Sequence, residues 1–404
     1  MISVEEAHRR ILSAFQTLPA ETVSIDDALG RVLAEDVLAR SDQPPKAVSA
    51  MDGYAVRAAD ASEAPTRLEI VGEIAAGQGF EGQIGPGQAA RIYTGAPLPE
   101  GADAIVMQEN AERSGNSVEI REAVTAGRFV RPAGLDFKAG QKGLGAGRIL
   151  TARDVGLAAA MDHSWLRVTR RPRVAVLSTG DELVLPGEPR GPQDIVSSNS
   201  FALSAFVKAC GGTPVNLGIA RDSRDELAAA LRAARGTDLI LTSGGASVGA
   251  HDLVQDVLED LGLELDFWKI AMRPGKPLIF GRLADTPVIG LPGNPVSGLV
   301  CSMLYLRPAM ARMLGRADFT ERSEKAVLGT DLGENDERQD YLRGRLRLDD
   351  EGRRIATPFE RQDSAMLFTL AQADCLVVRA PHAPAAKAGE EVEIIPLGPE
   401  LIAI

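Results

Sequence analysis

The sequence has 404 residues, 45% hydrophobic and 25% charged, with a formal net charge of −12 at pH 7. That length favours several domains, each with enough apolar residues for its own core. The negative field repels nucleic acid and anionic membrane, which argues against both as general partners, so an anionic ligand must be held by local cations and backbone N–H groups.

In chain order, Ser3-Val4-Glu5-Glu6 opens a capped amphipathic helix rather than a signal peptide. The spacing predicts helices over Val4 to Leu18 and Ile25 to Leu33, with Pro44-Pro45 breaking the pattern. From there to about Gly140 short β-runs alternate with glycines: Leu68 to Val71, Ala89 to Tyr93, Ala104 to Met107 and Ser117 to Ile120. They read as an all-β insertion. Thr151, with Asp154 three residues on, predicts a capped helix to Met161. This helix is expected to pack with the N-terminal helical piece while the insertion projects from both.

Residues 172 to about 315 alternate strand and helix. Arg173 to Ser178 is a near-continuous apolar run, as a buried parallel strand requires. A helix over Ser200 to Ala209, stopped by Gly211-Gly212, and a strand near Pro214 to Ile219 follow. A helix from Ser223, with Glu226 completing a capping box, leads to a strand over Thr237 to Thr242 and a helix over Asp252 to Leu261. Strands over Leu278 to Phe280 and Pro287 to Leu291 precede a long helix from Pro295, where proline suits the first turn. The pattern is that of a doubly wound α/β sheet. Beyond about Asp318, runs such as Cys375 to Val378 and Glu391 to Ile395 read as a small β-domain.

Cys210, Cys301 and Cys375 are an odd set with no CxxC, which points to free thiols in a reducing compartment. Neither they nor His8, His163, His251 and His382 have metal-ligand spacing. No apolar run reaches the roughly 18 to 20 residues of a membrane span. The expected location is the cytoplasm.

Ligands of open α/β sheets bind beyond the carboxyl ends of the strands, and three loops fall there: Ser178 to Leu183, Thr242 to Gly249 and Leu291 to Pro295. The second is glycine-rich and precedes a helix, so it can aim N–H groups at an anion; it is not a Walker loop, since no Gly-Lys-Ser/Thr follows. Taken alone, such a turn is either a phosphate site or only a tight connection. Lys269, Arg273 and Lys276 lie in Trp268 to Pro277, where prolines and a glycine suit a rigid oxyanion clamp. Asp222 and Asp252 suit helix caps as well as ligand roles, whereas the adjacent Asp181-Glu182 pair suits a hydrated Mg²⁺.

On these residues the chain resembles the molybdopterin molybdotransferases, which include the molybdotransferase part of the scaffold protein gephyrin. Ser49-Ala50-Met51-Asp52-Gly53-Tyr54-Ala55 is similar to one family segment and Thr94-Gly95-Ala96-Pro97 to Val106 to the next. Ser178 to Leu183, Ser243 to Gly249 with Asp252, Pro274-Gly275-Lys276-Pro277 and Gly290 to Pro295 follow in family order. Six motifs in sequence are specific where one would be weak.

The resemblance implies a multidomain α/β plus β fold. Its parts are a helical linker domain (1–43 and 139–171), a β-insertion (44–138), a molybdopterin-binding α/β domain with a doubly wound sheet (172–318) and a small C-terminal β-domain (319–404). It implies a cytoplasmic homodimer whose cleft joins the α/β domain of one subunit to the insertion of the other, with Asp52, Thr94, Arg131 and Asp136 reaching across. It implies that adenylylated molybdopterin and molybdate react with Mg²⁺ present to release AMP and the molybdenum cofactor. It also implies contact with molybdopterin adenylyltransferase and molybdoenzyme chaperones.

By the same resemblance, Asp52, Asp136, Glu182, Asp222 and Asp252 are the catalytic acids, and Asp181, Glu182, Asp222 and Asp252 hold the metal. Thr179, Gly180, Ser243, Gly244, Gly245, Ser247, Gly249, Pro292 and Pro295 line the pterin phosphate. Lys269, Arg273 and Lys276 bind molybdate and phosphate oxygens, with Arg338, Arg343 and Ser364 added from the last domain.

Two departures stand out. Arg273 replaces the first lysine of the family's Lys-Pro-Gly-Lys, and Arg131 to Asp136 lacks the acid that precedes the family's aspartate. Two rivals remain: an adenylyltransferase sharing the α/β fold, which lacks the other domains, and a pterin-binding scaffold without catalysis.

Overall fold

The computed structural model describes residues 1–244, 253–317, 319 and 323–397. At its centre lies a six-stranded sheet ordered Thr213–Ala220, Arg173–Thr179, Leu239–Ser243, Thr286–Leu291, Pro277–Leu283, Leu263–Lys269. The first four strands run parallel, Pro277–Leu283 runs against them, and the edge strand Leu263–Lys269, antiparallel to Pro277–Leu283, returns to the common direction. Val174 to Leu177 are fully buried, because helices cover both faces; each such side chain contributes roughly 1.5–3 kcal/mol. The chain leaves Arg173–Thr179 to one side and returns on the other, so the crevice between Thr179 and Ser243 is the topological switch point.

The insertion is a second six-stranded sheet, with Gly53–Val56 central between Gln88–Ile92 and Ala104–Met107. The C-terminal strands form a third sheet, ordered from Met272–Arg273 through Gln339–Leu348, Arg354–Pro358, Glu324–Leu328 and Glu391–Pro396 to Cys375–Arg379. An additional pairing of Gln339–Leu348 with Cys375–Arg379 closes it into a barrel.

Several sequence expectations need correction. The first helix spans Val4–Ser13 only. The chain then turns at Leu18, whose N–H donates to the Met313 carbonyl, and enters a strand, Ala20–Ser24, paired with Trp165–Thr169. Ile25–Asp27 is a single 3₁₀ turn, and Gly30 at φ +72° stops its extension. Tertiary pairing has overridden helix propensity here, so the linker segments mix short strands with the helices Val4–Ser13 and Ala152–Ala160.

Nor do the two helices pack together. Ala7, Ile11 and Phe15 join the core of the α/β domain with Tyr305 and Met313, whereas Ala158 and Met161 pack with Ala28, Leu33 and Val168. The Thr151–Asp154 capping box forms as expected. At Ser223 no capping bond forms, because Glu226 Oε2 turns back to accept from the Arg221 N–H at 3.0 Å. The helix placed over Asp252 to Leu261 is described as Leu253–Asp260. The helix from Pro295 carries a π-turn over Ser302–Leu306 just before Pro308, which lacks the N–H that would bond the preceding turn.

Candidate active site

The three loops meet at the switch point. Gly244 adopts φ +100°, and a Cβ there would lie 2.5 Å from the Thr179 carbonyl oxygen, so only glycine lets the second loop rest on the first. Its N–H donates to the Leu291 carbonyl at 3.3 Å, which ties it to the third loop. Asn199, absent from the sequence reading, joins two of these loops: its Nδ2 donates to Ser243 Oγ and to the Gly293 carbonyl, both at 2.8 Å. Its only sequence signal is a polar residue at the start of the helix that follows the first loop, Asn199–Ala209. Thr179 Oγ1, Ser178 Oγ and Thr242 Oγ1 are buried and have no partner among the described residues, so hydroxyls gather under the loops. Pro292 and Pro295 flank Gly293 and Asn294 at the start of the last helix. Gly245, Ser247, Gly249 and Asp252 lie outside the described residues.

The acids gather at the edge of this floor. Gly180, at φ +147°, leaves room for the Glu182 carboxylate: an added Cβ would meet it at 2.7 Å. Asp181 Oδ1 accepts from the Asp222 N–H at 3.0 Å. Burial, followed by the charges of Asp181 and Glu182, raises the Asp222 pKa above the ordinary carboxylate value. Three carboxylates that repel one another form an electrostatic debt that a divalent cation would relieve. Among the described residues, no group of three His, Cys, Asp or Glu is arranged to hold a metal ion. The oxygen-only donors nevertheless suit Mg²⁺, which keeps several waters and needs only one or two carboxylates.

The basic segment is a hairpin rather than a loop. Leu263–Lys269 and Pro277–Leu283 are its antiparallel arms, and the Ile270 N–H donates to the Lys276 carbonyl at 2.9 Å to close its tip. Lys269 Nζ lies 3.5 Å from the Trp268 ring centroid, a cation–π contact. Lys276 stands at the other stem. Arg273, at the tip, faces the barrel instead of the cleft, where it pairs with Asp336 at 3.2 Å and with Asp340. Its charge is thus already matched by carboxylates of its own chain.

The barrel reaches the site through Ser364. Its carbonyl accepts from the Val296 N–H at 3.1 Å, and its Oγ accepts from Asn294 Nδ2 at 3.0 Å. Arg343 is fully buried and donates to the Asp363 carbonyl at 2.9 Å, holding the Ser364 loop in place. Arg338 is paired with Asp336 at 2.6 Å. The Arg338 side chain and backbone N–H, with added attraction from Arg273, hold the Asp336 pKa at about 2, below the ordinary 3.8. A carboxylate lowered in this way stabilises the fold above its unfolded pKa and loses that contribution as pH falls through the folded one. Wild type should therefore lose thermal stability between pH 4 and 2 more steeply than Asp336→Asn, as followed by calorimetry; parallel curves would refute this.

In the insertion, Asp52 Oδ1 accepts from the Thr94 N–H and from Thr94 Oγ1, both at 2.7 Å, and these bonds lower its pKa. Arg131, Asp136, Lys46 and Gly95 line one cleft of about 730 Å³. The four insertion residues thus share one neighbourhood through the Thr94-Gly95 turn. No hydrogen bond or ion pair among the described residues links them to the α/β site of the same chain. A separate cavity of about 260 Å³, bounded by Val4, Tyr305, Tyr341 and Ile395, holds none of the expected site residues.

Comparisons with known proteins cover nearly the whole chain. Residues 2–161 match the MoeA N-terminal region (domain I and II), residues 175–312 the probable molybdopterin binding domain, and residues 325–397 the MoeA C-terminal region (domain IV). The chain is similar to a molybdopterin molybdenumtransferase of Nostoc sp., at 38% identity over 89% of this chain and 84% of the relative. It is also similar to one of Haemophilus influenzae, at 33% identity over 98% of each. Among solved structures, a molybdopterin biosynthesis MoeA protein from Pyrococcus horikoshii superposes with a TM-score of 0.82 at 28% identity, covering 98% of this chain and 99% of that one.

Proposed function

This chain belongs to the molybdopterin molybdenumtransferases, transferases of molybdenum cofactor biosynthesis, and from that premise we propose that it takes adenylylated molybdopterin and molybdate and releases AMP. The observation that carries this reading is the meeting of Gly244, Ser243 and Thr179 with the Asp181, Glu182 and Asp222 carboxylates at one switch point. The Gly244 turn and the hydroxyls beneath it would receive the phosphate, and Asn199 Nδ2 holds Ser243 by donating to its Oγ. Asp181, Glu182 and Asp222, with Asp252, would hold Mg²⁺, which would supply charge neutralisation at the phosphoanhydride as it breaks. Lys269 and Lys276, on opposite stems of a hairpin closed by the Ile270–Lys276 hydrogen bond, would hold molybdate oxygens.

We further propose a cytoplasmic homodimer in which the partner's insertion brings its cleft to this floor. The support is that the Asp52, Thr94, Arg131 and Asp136 neighbourhood is built, while among the described residues no bond ties it to the α/β site of its own chain. Molybdopterin adenylyltransferase and molybdoenzyme chaperones are the proposed donor and acceptor partners.

The test is to titrate purified protein with adenylylated molybdopterin and molybdate while AMP is measured. AMP release that depends on molybdate supports the reading; adenylylation that consumes ATP would favour the adenylyltransferase, and pterin binding without turnover the scaffold. Within that assay, Lys276→Ala should raise the molybdate concentration for half-maximal release about 10-fold or more, since a charge-assisted bond contributes about 1.5–3 kcal/mol. A wild-type molybdate dependence would remove Lys276 from the site.

A further inference from the structure

We infer that Arg273 is a positioning residue: it ties the tip of the Lys269–Lys276 hairpin to the C-terminal barrel and so sets where Lys276 stands. The inference rests on the proposed function for its activity readout only. Met272 and Arg273 add a short parallel strand to the barrel, registered on Gln339 and Asp340, and the Gln339 N–H donates to the Ala271 carbonyl at 2.9 Å. The guanidinium then spans three acceptors from that domain. Nη1 pairs with Asp336 at 3.2 Å, while Nη2 reaches Asn335 Oδ1 at 3.3 Å and Asp340 Oδ2.

Asp340 is buried, and its other oxygen has no partner. Arg273 is therefore the charge that makes a buried carboxylate tolerable, and removing it leaves that charge unpaired. Arg273 and Arg338 face Asp336, Glu337 and Asp340 in one network, so no excess positive charge remains there to draw in a dianion. A lysine in this place would offer one compact ammonium where the planar fork reaches several acceptors at once. On its other side the tip is packed tightly: a Cβ on Gly275 would lie 2.6 Å from Cys301 Sγ and 2.9 Å from Met272 Cε. The tip is thus wedged between the last helix of the α/β domain and the barrel, and Lys276 follows it directly.

Misplacing a reacting contact by about an ångström can cost about 10²-fold in rate. The deciding variant is Asp340→Asn, which leaves Arg273 intact but removes its buried partner. We expect Asp340→Asn and Arg273→Ala each to lower AMP release at saturating molybdate about tenfold or more. In a Lys276→Ala background each should add less than about twofold, because both act through Lys276. Arg273→Lys should recover part of the loss. The opposite result, Asp340→Asn at wild-type turnover while Arg273→Ala shifts the molybdate dependence in either background, would make Arg273 an oxyanion ligand and overturn the inference.

If Asp340→Asn does not fold, the more exposed Asp336→Asn should show a smaller loss in the same direction, and unchanged turnover there would overturn it. Amide hydrogen exchange separates this failure from that of the proposed function. In Arg273→Ala, the Gln339 amide, which bonds the Ala271 carbonyl, should exchange faster whether or not the wild type releases AMP, and unchanged exchange would refute the tie.

Discussion

Asp222→Ala is expected to lower molybdate-dependent AMP release by about 10²-fold or more while leaving the folded protein intact. Asp222 is exposed, and its backbone N–H rather than its carboxylate bonds Asp181, so no packing depends on the side chain. What the variant removes is charge. Burial and the neighbouring Asp181 and Glu182 raise the Asp222 pKa, which means the site bears repulsion in the absence of a cation. Neutralising one carboxylate therefore helps the apo fold slightly and harms cation binding, and loss of one electrostatic contributor in a preorganised site typically costs about 10²–10³-fold. Asp222→Asn should match alanine in activity, since it keeps the shape and loses the charge. AMP release near the wild-type rate in both variants would take Asp222 out of the mechanism.

The second large effect is on folding. Gly53→Ala should destabilise the insertion by about 3 kcal/mol, the upper end of the range for overpacking. An added Cβ would fall far inside van der Waals contact distance of the Val106 carbonyl oxygen, 2.8 Å from its carbon and 3.1 Å from Met107 Cα. All three are backbone atoms of a paired strand, and Gly53 is itself paired on both sides, with Ile92 and Met107. No rotamer change can relieve the clash, so the sheet must part. Thermal unfolding should shift down by several degrees. A midpoint within a degree or two of wild type would show that the Gly53 strand moves freely.

Gly53 also shows how a motif can be legible while its reason is not. Ser49 to Ala55 identified the family, and its glycine could be taken for a turn residue. In the fold it lies in the middle of a sheet, where it allows close approach of Val106. The α/β strands were legible for a plainer reason: strands buried on both faces must be apolar along their length, as Val174 to Leu177 are. The helix over Ile25 to Leu33 was misread because its apolar spacing serves a different end. Val32 and Leu33 bridge Ile149 and Val168, residues more than a hundred positions away.

Local sequence determined which residue types reach the switch point: glycines where positive φ is required, carboxylates after a strand, and lysines beside prolines. These are short-range matters of backbone freedom and charge, so they are readable one segment at a time. The direction in which Arg273 points was decided by the fold alone. Asp336 and Asp340 lie more than sixty residues downstream, and only the strand that pairs Met272–Arg273 with Gln339–Leu348 brings them within ion-pair distance. A guanidinium takes whichever anion the tertiary structure places nearest, and here that anion belongs to the protein itself.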